Sequence, residues 1–279
     1  MCGGECIQVE ENKCKILEEA CPVCFTRAKL CPGDAVKVIN LPEELSSDMT
    51  HRYSLNGFRL FRLPTPRQDS VIGILGPNGI GKSTAINLLS GSIMPNLGDW
   101  IDPPTDWESI IETFPRGELR DYLTLVSEGE ISIAVKPQYI DKLPKLWSGK
   151  VSGLLTRVND MGELDKYAKL TGIEHLLERE LKDLSGGELQ RVAICATILK
   201  DAEVYFFDEP SSYLDIYERM RMVSIIQDLA SKGKRVLVVE HDLAILDVLC
   251  DMLHIIYGDR GAYGIFTPSR TTRGAINAY

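Results

Sequence analysis

Short apolar runs separated by longer mixed segments recur along most of the chain, and this alternation predicts an α/β fold. The runs cover residues 71–75, 131–135, 204–207 and 236–239. A strand of a parallel sheet is covered by helices on both faces, so its sequence is a continuous apolar run. Residues 58–63 instead alternate, as Phe-Arg-Leu-Phe-Arg-Leu, which is typical of a half-exposed strand. We therefore predict a mostly parallel sheet with helices packed on it.

Several segments between these runs have helical character. Residues 85–89 follow a glycine-rich turn, and an apolar stripe in residues 192–199 has helical spacing. Two helical stretches, 107–114 and 118–126, are separated by Pro115-Arg116-Gly117, which predicts a helix-loop-helix. Arg116 at its tip is a candidate contact for a phosphate backbone, whereas an exposed arginine alone usually marks only a solvated loop.

The composition is typical of a soluble globular protein with a sizeable core. The chain has 279 residues, 44% of them hydrophobic, a net charge of −9 and a pI of about 5.1. This acidic balance argues against a broad basic surface that binds nucleic acid. No apolar run approaches the roughly 20 residues that cross a bilayer, and the N-terminus lacks a signal-peptide pattern. We expect a cytoplasmic protein without a membrane segment, whose cysteines are thiols or metal ligands rather than disulfides.

Six of the eight cysteines lie in the first 31 residues: Cys2, Cys6, Cys14, Cys21, Cys24 and Cys31. The spacing of the last three, with Pro32 after them, is similar to the C-x₂-C-x₂-C-x₃-C-P run of bacterial ferredoxins. Arg27 occupies one ligand position, and arginine cannot bind iron. The segment is therefore either a remnant of a ferredoxin-like domain or an irregular iron–sulfur or zinc site completed by the other cysteines. We expect no complete pair of 4Fe–4S clusters.

A polar connection follows the cysteine-rich segment. Residues 33–48 contain Pro42, two glutamates and Ser46-Ser47-Asp48, a composition typical of a surface loop. We therefore divide the chain into residues 1–48, a cysteine-rich remnant with its linker, and residues 49–279, the main domain. Near the start of this domain, Tyr53 is the first candidate and Phe58 the second for stacking on a nucleotide base; the alternative for each is a place in the core.

A glycine-rich loop begins directly after the apolar run at 71–75. Its sequence, Gly-Pro-Asn-Gly-Ile-Gly-Lys-Ser-Thr at 76–84, fits the P-loop pattern GxxxxGK followed by Ser or Thr. Glycines allow backbone N–H groups to surround phosphates, and the following helix adds the positive end of its dipole. The predicted nucleotide contacts are Gly76, Asn78, Gly79, Gly81, Lys82, Ser83 and Thr84. Among them, Lys82 is expected to reach the β- and γ-phosphates and Ser83 to coordinate Mg²⁺.

A second phosphate-binding pattern, Leu-Ser-Gly-Gly-Glu-Leu-Gln-Arg, lies at 184–191. Ser185, Gly186 and Gly187 precede a helix, so their backbone N–H groups are predicted to face an anion. Together with the P-loop, this stretch resembles the signature motif of ABC-type ATPases. In that family each ATP lies between the P-loop of one domain and the signature of another. The resemblance therefore implies a second ABC domain as a partner.

Two of the apolar runs end in charged residues, and a buried charge at a strand end is unfavourable unless it has a task. The run at 204–207 ends in Asp208 and Glu209. The ABC resemblance implies that Asp208 holds Mg²⁺ through water and that Glu209 activates the attacking water. The run at 236–239 leads to His241, which stands where the family's switch histidine contacts the γ-phosphate.

Two further residues complete the predicted site. Gln138 follows the run at 131–135 and is a candidate ligand of the metal or of its water. Asp215 ends a segment that resembles the D-loop of ABC ATPases, and the resemblance implies that it lies at the nucleotide.

Short strings elsewhere narrow the resemblance. They are Thr-His-Arg-Tyr at 50–53, Pro-Asn-Leu-Gly at 95–98, Asp-Pro-Pro at 102–104, Lys-Pro-Gln-Tyr at 136–139, Asp-Glu-Pro-Ser-Ser-Tyr-Leu-Asp at 208–215, Glu-His-Asp-Leu at 240–243 and Ala-Tyr-Gly at 262–264. Together they are similar to ABC subfamily E, the RNase L inhibitor or ribosome-recycling ATPases. This resemblance implies a RecA-like core, an antiparallel β portion, a helical subdomain at about 141–199, and action on the small ribosomal subunit with termination factors.

The sequence also departs from the subfamily pattern. It matches only the end of the iron–sulfur domain, and it stops at Tyr279, where the family continues into a second ATPase domain. The family's Arg-Gly-Ser-Glu tip here reads Pro115-Arg116-Gly117-Glu118, so the segment that the resemblance implies as a ribosomal RNA contact is altered. Three interpretations stay open: an ATPase that acts on ribosomes, a nucleotide-dependent regulatory module, and either a truncated non-functional paralogue or an incomplete gene sequence.

Overall fold

The computed structural model describes residues 48–279 and the backbone of two short strands before them. These strands, β1 (Ile7–Glu10) and β2 (Lys13–Ile16), pair antiparallel. The predicted ligand set Cys21, Cys24 and Cys31, with Arg27 between them, lies outside the described residues.

One large sheet organises the described part of the chain. Its strands are β3 (Met49–Arg52), β4 (Arg59–Phe61), β5 (Ser70–Leu75), β6 (Ile133–Lys136), β7 (Val204–Asp208), β8 (Arg235–Val239), β9 (Met252–Asp259), β10 (Tyr263–Phe266) and β11 (Arg270–Thr271). Their order is β3-β4-β10-β9-β5-β8-β7-β6, with β11 beside β9. The strands β9, β5, β8, β7 and β6 pair in parallel, so the predicted mostly parallel sheet is confirmed.

The predicted antiparallel portion is continuous with this sheet rather than separate from it. β3 pairs antiparallel with β4, and β10 pairs antiparallel with β9, but β4 and β10 run parallel. The strand predicted at 58–63 covers only Arg59–Phe61, because Arg62 has a left-handed φ of 61° that ends the extended chain. The strand predicted at 131–135 is likewise shifted, to Ile133–Lys136.

Ten α-helices accompany the sheet within residues 48–279. They are α1 (Lys82–Leu89), α2 (Trp107–Thr113), α3 (Glu118–Glu128), α4 (Leu143–Leu146), α5 (Val151–Arg157), α6 (Leu164–Leu170), α7 (Gly186–Ile198), α8 (Ile216–Ser231), α9 (Leu243–Leu249) and α10 (Thr272–Ile276). The predicted helix-loop-helix is formed by α2 and α3. The chain between β6 and β7 contains α4, α5, α6 and α7. The division that sets residues of about 141–199 apart as a helical subdomain stays a prediction.

Apolar cores lie on both faces of the sheet, as the continuous apolar runs require. Along β7, Tyr205 and Phe207 belong to one core, and Val204 and Phe206 to the other. Successive strand residues point to opposite faces, so each face receives every second side chain. The first core also contains residues of α5, α6 and α7, and the second contains residues of α1 and α3. Within residues 48–279, none of the helices has both the length and the apolar character that a bilayer crossing requires.

Candidate functional site

The predicted site loops follow the carboxyl ends of four neighbouring parallel strands. The P-loop follows β5, Gln138 follows β6, Glu209 follows β7 and His241 follows β8. Loops after parallel strands emerge on the same side of a sheet, which is where α/β proteins bind ligands. The fold therefore brings together residues that are far apart in the sequence.

The P-loop has the backbone geometry that its glycines allow. Gly79 and Gly81 have left-handed φ values of 77° and 99°, and a Cβ on Gly76 would lie 2.4 Å from the carbonyl oxygen of Ile256. Gly81 is the N-cap of α1 and provides no side-chain cap. The first N–H groups of α1 therefore depend on a ligand or water, which suits an anion at this helix end.

Lys82 lies inside the loop rather than on the surface. It is 7% exposed, and its Nζ donates to the carbonyl oxygens of Gly76 at 2.7 Å and Pro77 at 2.8 Å. The same Nζ is 3.2 Å from Asn78 Oδ1 and 3.2 Å from His241 Nε2. Burial lowers the pKa of Lys82 to about 8, and the nearby carboxylates of Glu209 and Asp208 oppose this shift. The ammonium is thus held within the P-loop, where phosphate oxygens can take the place of its carbonyl partners.

The carboxylates at the end of β7, Asp208 and Glu209, lie beside the P-loop. Ser83 Oγ donates to Asp208 Oδ2 at 3.3 Å, so the two predicted Mg²⁺ ligands are neighbours. Asp208 is buried, and its pKa is raised. Burial is the largest cause of this shift, and the charge of Glu209 is the second. Glu209 Oε1 accepts from Gln138 Nε2 at 2.8 Å and lies 3.3 Å from His241 Nε2. Contacts therefore run continuously from the P-loop lysine through the histidine to the carboxylate.

This donor set fits Mg²⁺, which favours a few hard oxygen ligands together with phosphate oxygens and water. Ser83, Asp208 and the amide oxygen of Gln138 supply such oxygens beside the P-loop. Among residues 48–279, no group of three or more His, Cys, Asp or Glu side chains is arranged to hold a metal ion. The metal would therefore be held jointly by this chain and by the phosphates.

The two aromatic candidates differ in their surroundings. Tyr53 is half exposed, and its hydroxyl lies 3.2 Å from Thr84 Oγ1 near the start of α1. Its ring meets His51 edge to face, with 4.8 Å between the centroids. Phe58 instead packs on Gly81, where a Cβ would come within 2.5 Å of the phenyl ring, and lies partly buried against the second core. Tyr53 is thus the ring that stays available to a base.

The signature residues Ser185, Gly186 and Gly187 lie at the N-terminal end of α7. Ser185 is the N-cap of α7 and shares a capping box with Glu188, while Gly186 and Gly187 form its first turn. Within residues 48–279, these three residues share no hydrogen bond with the P-loop. Asp215 also caps a helix, because its Oδ1 accepts from Glu218 N at 2.9 Å at the start of α8.

Three polar residues beneath the site are not among the sequence candidates. Lys136 is fully buried, and its Nζ donates to the carbonyl oxygen of Asp208 at 2.8 Å. Gln190, on α7, donates to the carbonyl oxygen of Glu209 at 2.8 Å. Glu240 accepts from Ser211 N at 2.8 Å. Lys136 and Glu240 stand at the ends of apolar runs, the same signal that identified Asp208.

Comparison with known proteins finds ABC-type proteins, both by family model and by sequence relatives. The family model described as ABC transporter matches residues 65–212. The chain is 43% identical over 279 residues to "ABC transporter E family member 1" of Arabidopsis thaliana, covering 99% of this chain and 46% of the relative. It is 43% identical over 284 residues to "Translation initiation factor RLI1" of Saccharomyces cerevisiae, with 99% and 46% covered. The chain thus spans about half the length of these relatives.

Solved structures agree with the sequence relatives. A "Model of ribosome-bound archaeal Pelota and ABCE1" superimposes with a TM-score of 0.93 and 47% identity, over 99% of this chain and 46% of that chain. The structure "RNase-L Inhibitor" gives a TM-score of 0.79 and 50% identity, over 83% of this chain and 44% of that chain. The predicted resemblance to subfamily E is therefore confirmed, and the chain belongs to the ABC transporter family.

Proposed function

We propose that this chain is an ABC-type ATPase that hydrolyses ATP in a site shared with a second ABC domain. The observation that carries the proposal is the contact of Glu209 with both Gln138 and His241, at 2.8 and 3.3 Å, beside the P-loop lysine. A carboxylate held next to a histidine and to a candidate metal ligand is placed to orient a water molecule and accept its proton.

The roles of the other residues follow from their positions. Backbone N–H groups of the P-loop and the ammonium of Lys82 would bind the β- and γ-phosphates, and Tyr53 would stack on the base. Ser83, Asp208 and Gln138 would hold Mg²⁺, which supplies neutralisation of the phosphate charge. His241, 3.2 Å from Lys82 Nζ, would donate to the γ-phosphate as charge develops there.

The second half of the site would come from another domain. Ser185, Gly186 and Gly187 make no hydrogen bond to the P-loop of their own chain within the described residues, yet they begin a helix whose N–H groups suit a phosphate. The partner is either a second copy of this chain or another ABC domain. Asp215, which caps α8, would then support the D-loop at the contact between the two domains rather than bind the nucleotide directly.

The proposed binding partner of this ATPase is the ribosome. Similar solved structures are named for ribosome-bound ABCE1 with Pelota and for a complex of aABCE1 with the ribosomal stalk protein aP1. We infer that this chain binds the small ribosomal subunit in the cytoplasm, in the company of termination factors. Its helix-loop-helix tip at 115–118 differs from the subfamily pattern, so binding should be weaker than that of a full-length relative.

The test of paired hydrolysis combines dilution with one substitution. ATP turnover per chain should rise with protein concentration, because a lone domain lacks the signature donors; loss of such donors typically lowers the rate about a hundred- to a thousandfold. Glu209→Gln should bind ATP and accumulate as a dimer in light scattering, since the base is lost and the phosphate contacts remain. Turnover that stays flat on dilution, with Glu209→Gln monomeric in ATP, would contradict the proposal.

Ribosome binding is tested separately by cosedimentation with small subunits. We expect the Glu209→Gln chain with ATP to cosediment, and the same chain without nucleotide to remain in the supernatant. Absence of nucleotide-dependent cosedimentation at every salt concentration would leave paired hydrolysis standing and favour a regulatory role away from the ribosome.

A further inference from the structure

We propose that Lys136 and Gln190 are positioning residues that hold the backbone of Glu209 in a left-handed conformation and thereby aim its carboxylate. The inference rests on the proposed function, in which Glu209 is the base that activates water. It concerns two side chains that touch neither the P-loop nor the predicted metal oxygens of Ser83 and Asp208.

The feature to be explained is the backbone of Glu209 itself. This residue has a φ of 49°, in the region that glycine adopts readily and that other residues adopt only when their surroundings enforce it. Glu209 follows β7 directly and precedes Pro210, so its conformation sets the direction in which the chain leaves the sheet. A relaxed, negative φ would turn the side chain away from Gln138 and His241.

Lys136 supplies the first restraint. It ends β6, which pairs in parallel with β7, and it is fully buried. Its Nζ donates to the carbonyl oxygen of Asp208 at 2.8 Å and to that of Glu209 at 3.3 Å. The charges that face this ammonium come from Asp208, Glu209 and Glu240. A fully buried lysine is unfavourable unless its charge is paired and hydrogen-bonded, and these two bonds go to the last residue of β7 and to the residue directly after it.

Gln190 supplies the second restraint, from a different element. It lies on α7, and its Nε2 donates to the carbonyl oxygens of Glu209 and Pro210, both at 2.8 Å. The side chain is fully buried, and its Oε1 has no hydrogen-bond partner in the described part of the chain. A buried acceptor without a partner is unfavourable, so an apolar side chain would serve packing better. The presence of an amide at this position is therefore best explained by the hydrogen bonds that its N–H groups donate to the carbonyl oxygens of Glu209 and Pro210.

Together these contacts hold both the N–H group and the carbonyl oxygen of Glu209. Lys136 and Gln190 hold its carbonyl oxygen, and its N–H donates to the carbonyl oxygen of Val239 on β8 at 2.9 Å. The side chain then starts from a fixed point and reaches Gln138 and His241. Because Gln190 belongs to the signature helix, the position of the base also depends on the placement of α7.

The experiment compares Gln190→Met and Lys136→Met with the unchanged chain, at a protein concentration where the unchanged chain turns over ATP. Methionine matches the length of glutamine, is one atom shorter than lysine, and removes the donors of both. We expect kcat to fall by roughly tenfold to a hundredfold, because small displacements of a catalytic group have effects of this order. The Kd for a fluorescent ATP analogue should stay within about twofold, since neither residue touches the P-loop. Lys145→Met, on the exposed side of α4, serves as the matched control and should behave as the unchanged chain.

Two further measurements separate positioning from folding and from failure of the proposed function. Gln190→Met should keep its melting temperature, because the substitution also removes an unpaired acceptor. In its crystal structure φ of Glu209 should be negative, a result that does not depend on activity. Because both side chains hold one carbonyl group, the double variant should lose less activity than the product of the two single losses. Unchanged kcat in both variants with φ of Glu209 still positive would overturn the inference. No turnover in the unchanged chain would count against a site shared between two copies and would leave the crystal structure of Gln190→Met as the test of the inference.

Discussion

Two helices begin at predicted phosphate sites, and their first turns are built in opposite ways. α1 follows Gly81, which has φ 99° and provides no side-chain cap. α7 follows Ser185, whose hydroxyl accepts from Glu188 N at 3.4 Å while the Glu188 carboxylate accepts from Ser185 N at 2.7 Å. The N-terminal N–H groups of α1 therefore rely on a ligand, and those of α7 are partly satisfied from within the chain.

The difference indicates how each end is used. The α1 end lies beside Lys82, Asp208 and His241 of the same chain, so its own chain would supply one side of the proposed nucleotide site. The α7 end is capped by Ser185 and Glu188 of the same chain, and Gly186 in its first turn is exposed. A helix end of this kind is suited to complete a site on another domain.

The largest effect is expected from Lys82→Ala. It removes the ammonium from the α1 end, and hydrogen bonds to charged groups contribute about 1.5–3 kcal/mol, or roughly ten- to hundredfold in Kd. Titration with a fluorescent ATP analogue and Mg²⁺ measures the loss. Thermal stability should not fall, because burial already disfavours the charged form of this side chain. Lys145→Ala is the control, and equal affinity in both variants would remove the P-loop assignment.

A smaller effect is expected from Ser185→Ala at the α7 end. Loss of an N-cap side chain lowers stability by about 1 kcal/mol, which for a domain of this size corresponds to about 2–4 °C in Tm. Differential scanning calorimetry measures the shift. Ser224→Ala is the matched control, because its hydroxyl bonds a carbonyl oxygen within α8 and caps nothing. A loss of ATP affinity in dilute Ser185→Ala would show that the signature serves its own chain's nucleotide.

The smallest effect concerns the titration of the α7 cap. The backbone N–H of Ser185 lowers the pKa of Glu188 most, and the Ser185 hydroxyl and Arg179 act in the same direction. Because the folded-state pKa lies below the ordinary value of 4.5, the contribution of Glu188 to stability is present above pH 4.5 and is lost as the pH falls through the folded-state pKa. The Tm difference between the unchanged chain and Glu188→Gln should therefore shrink on acidification. A constant difference would contradict the role of the ionised cap.

Local sequence signals predict much of the fold and most of the site. The apolar run at 204–207 and the glycine spacing at 76–84 each depend on contiguous residues, and the structure forms β7 and the P-loop there. The contact of Glu209 with His241 also follows from the rule that parallel strands end on one side of a sheet.

Features that depend on distant parts of the chain were not predictable in this way. Lys136 and the carbonyl group of Asp208 are 72 residues apart, and no spacing rule connects a strand end with the peptide of another strand. The parallel pairing of β4 with β10 likewise depends on the route of the chain between them. The left-handed backbone of Glu209 is imposed by its surroundings, since glutamate does not favour it.

The position of β6 has a consequence for how the protein behaves at high concentration. β6 is the last strand on one side of the described sheet, and such a strand exposes N–H and C=O groups on which a strand of another molecule can add. It has only four residues, ends in the inward-pointing Lys136 and is followed by Pro137, which has no N–H group. All three features oppose strand addition. Concentrated protein should therefore form discrete particles, not fibres that grow by sheet extension at β6.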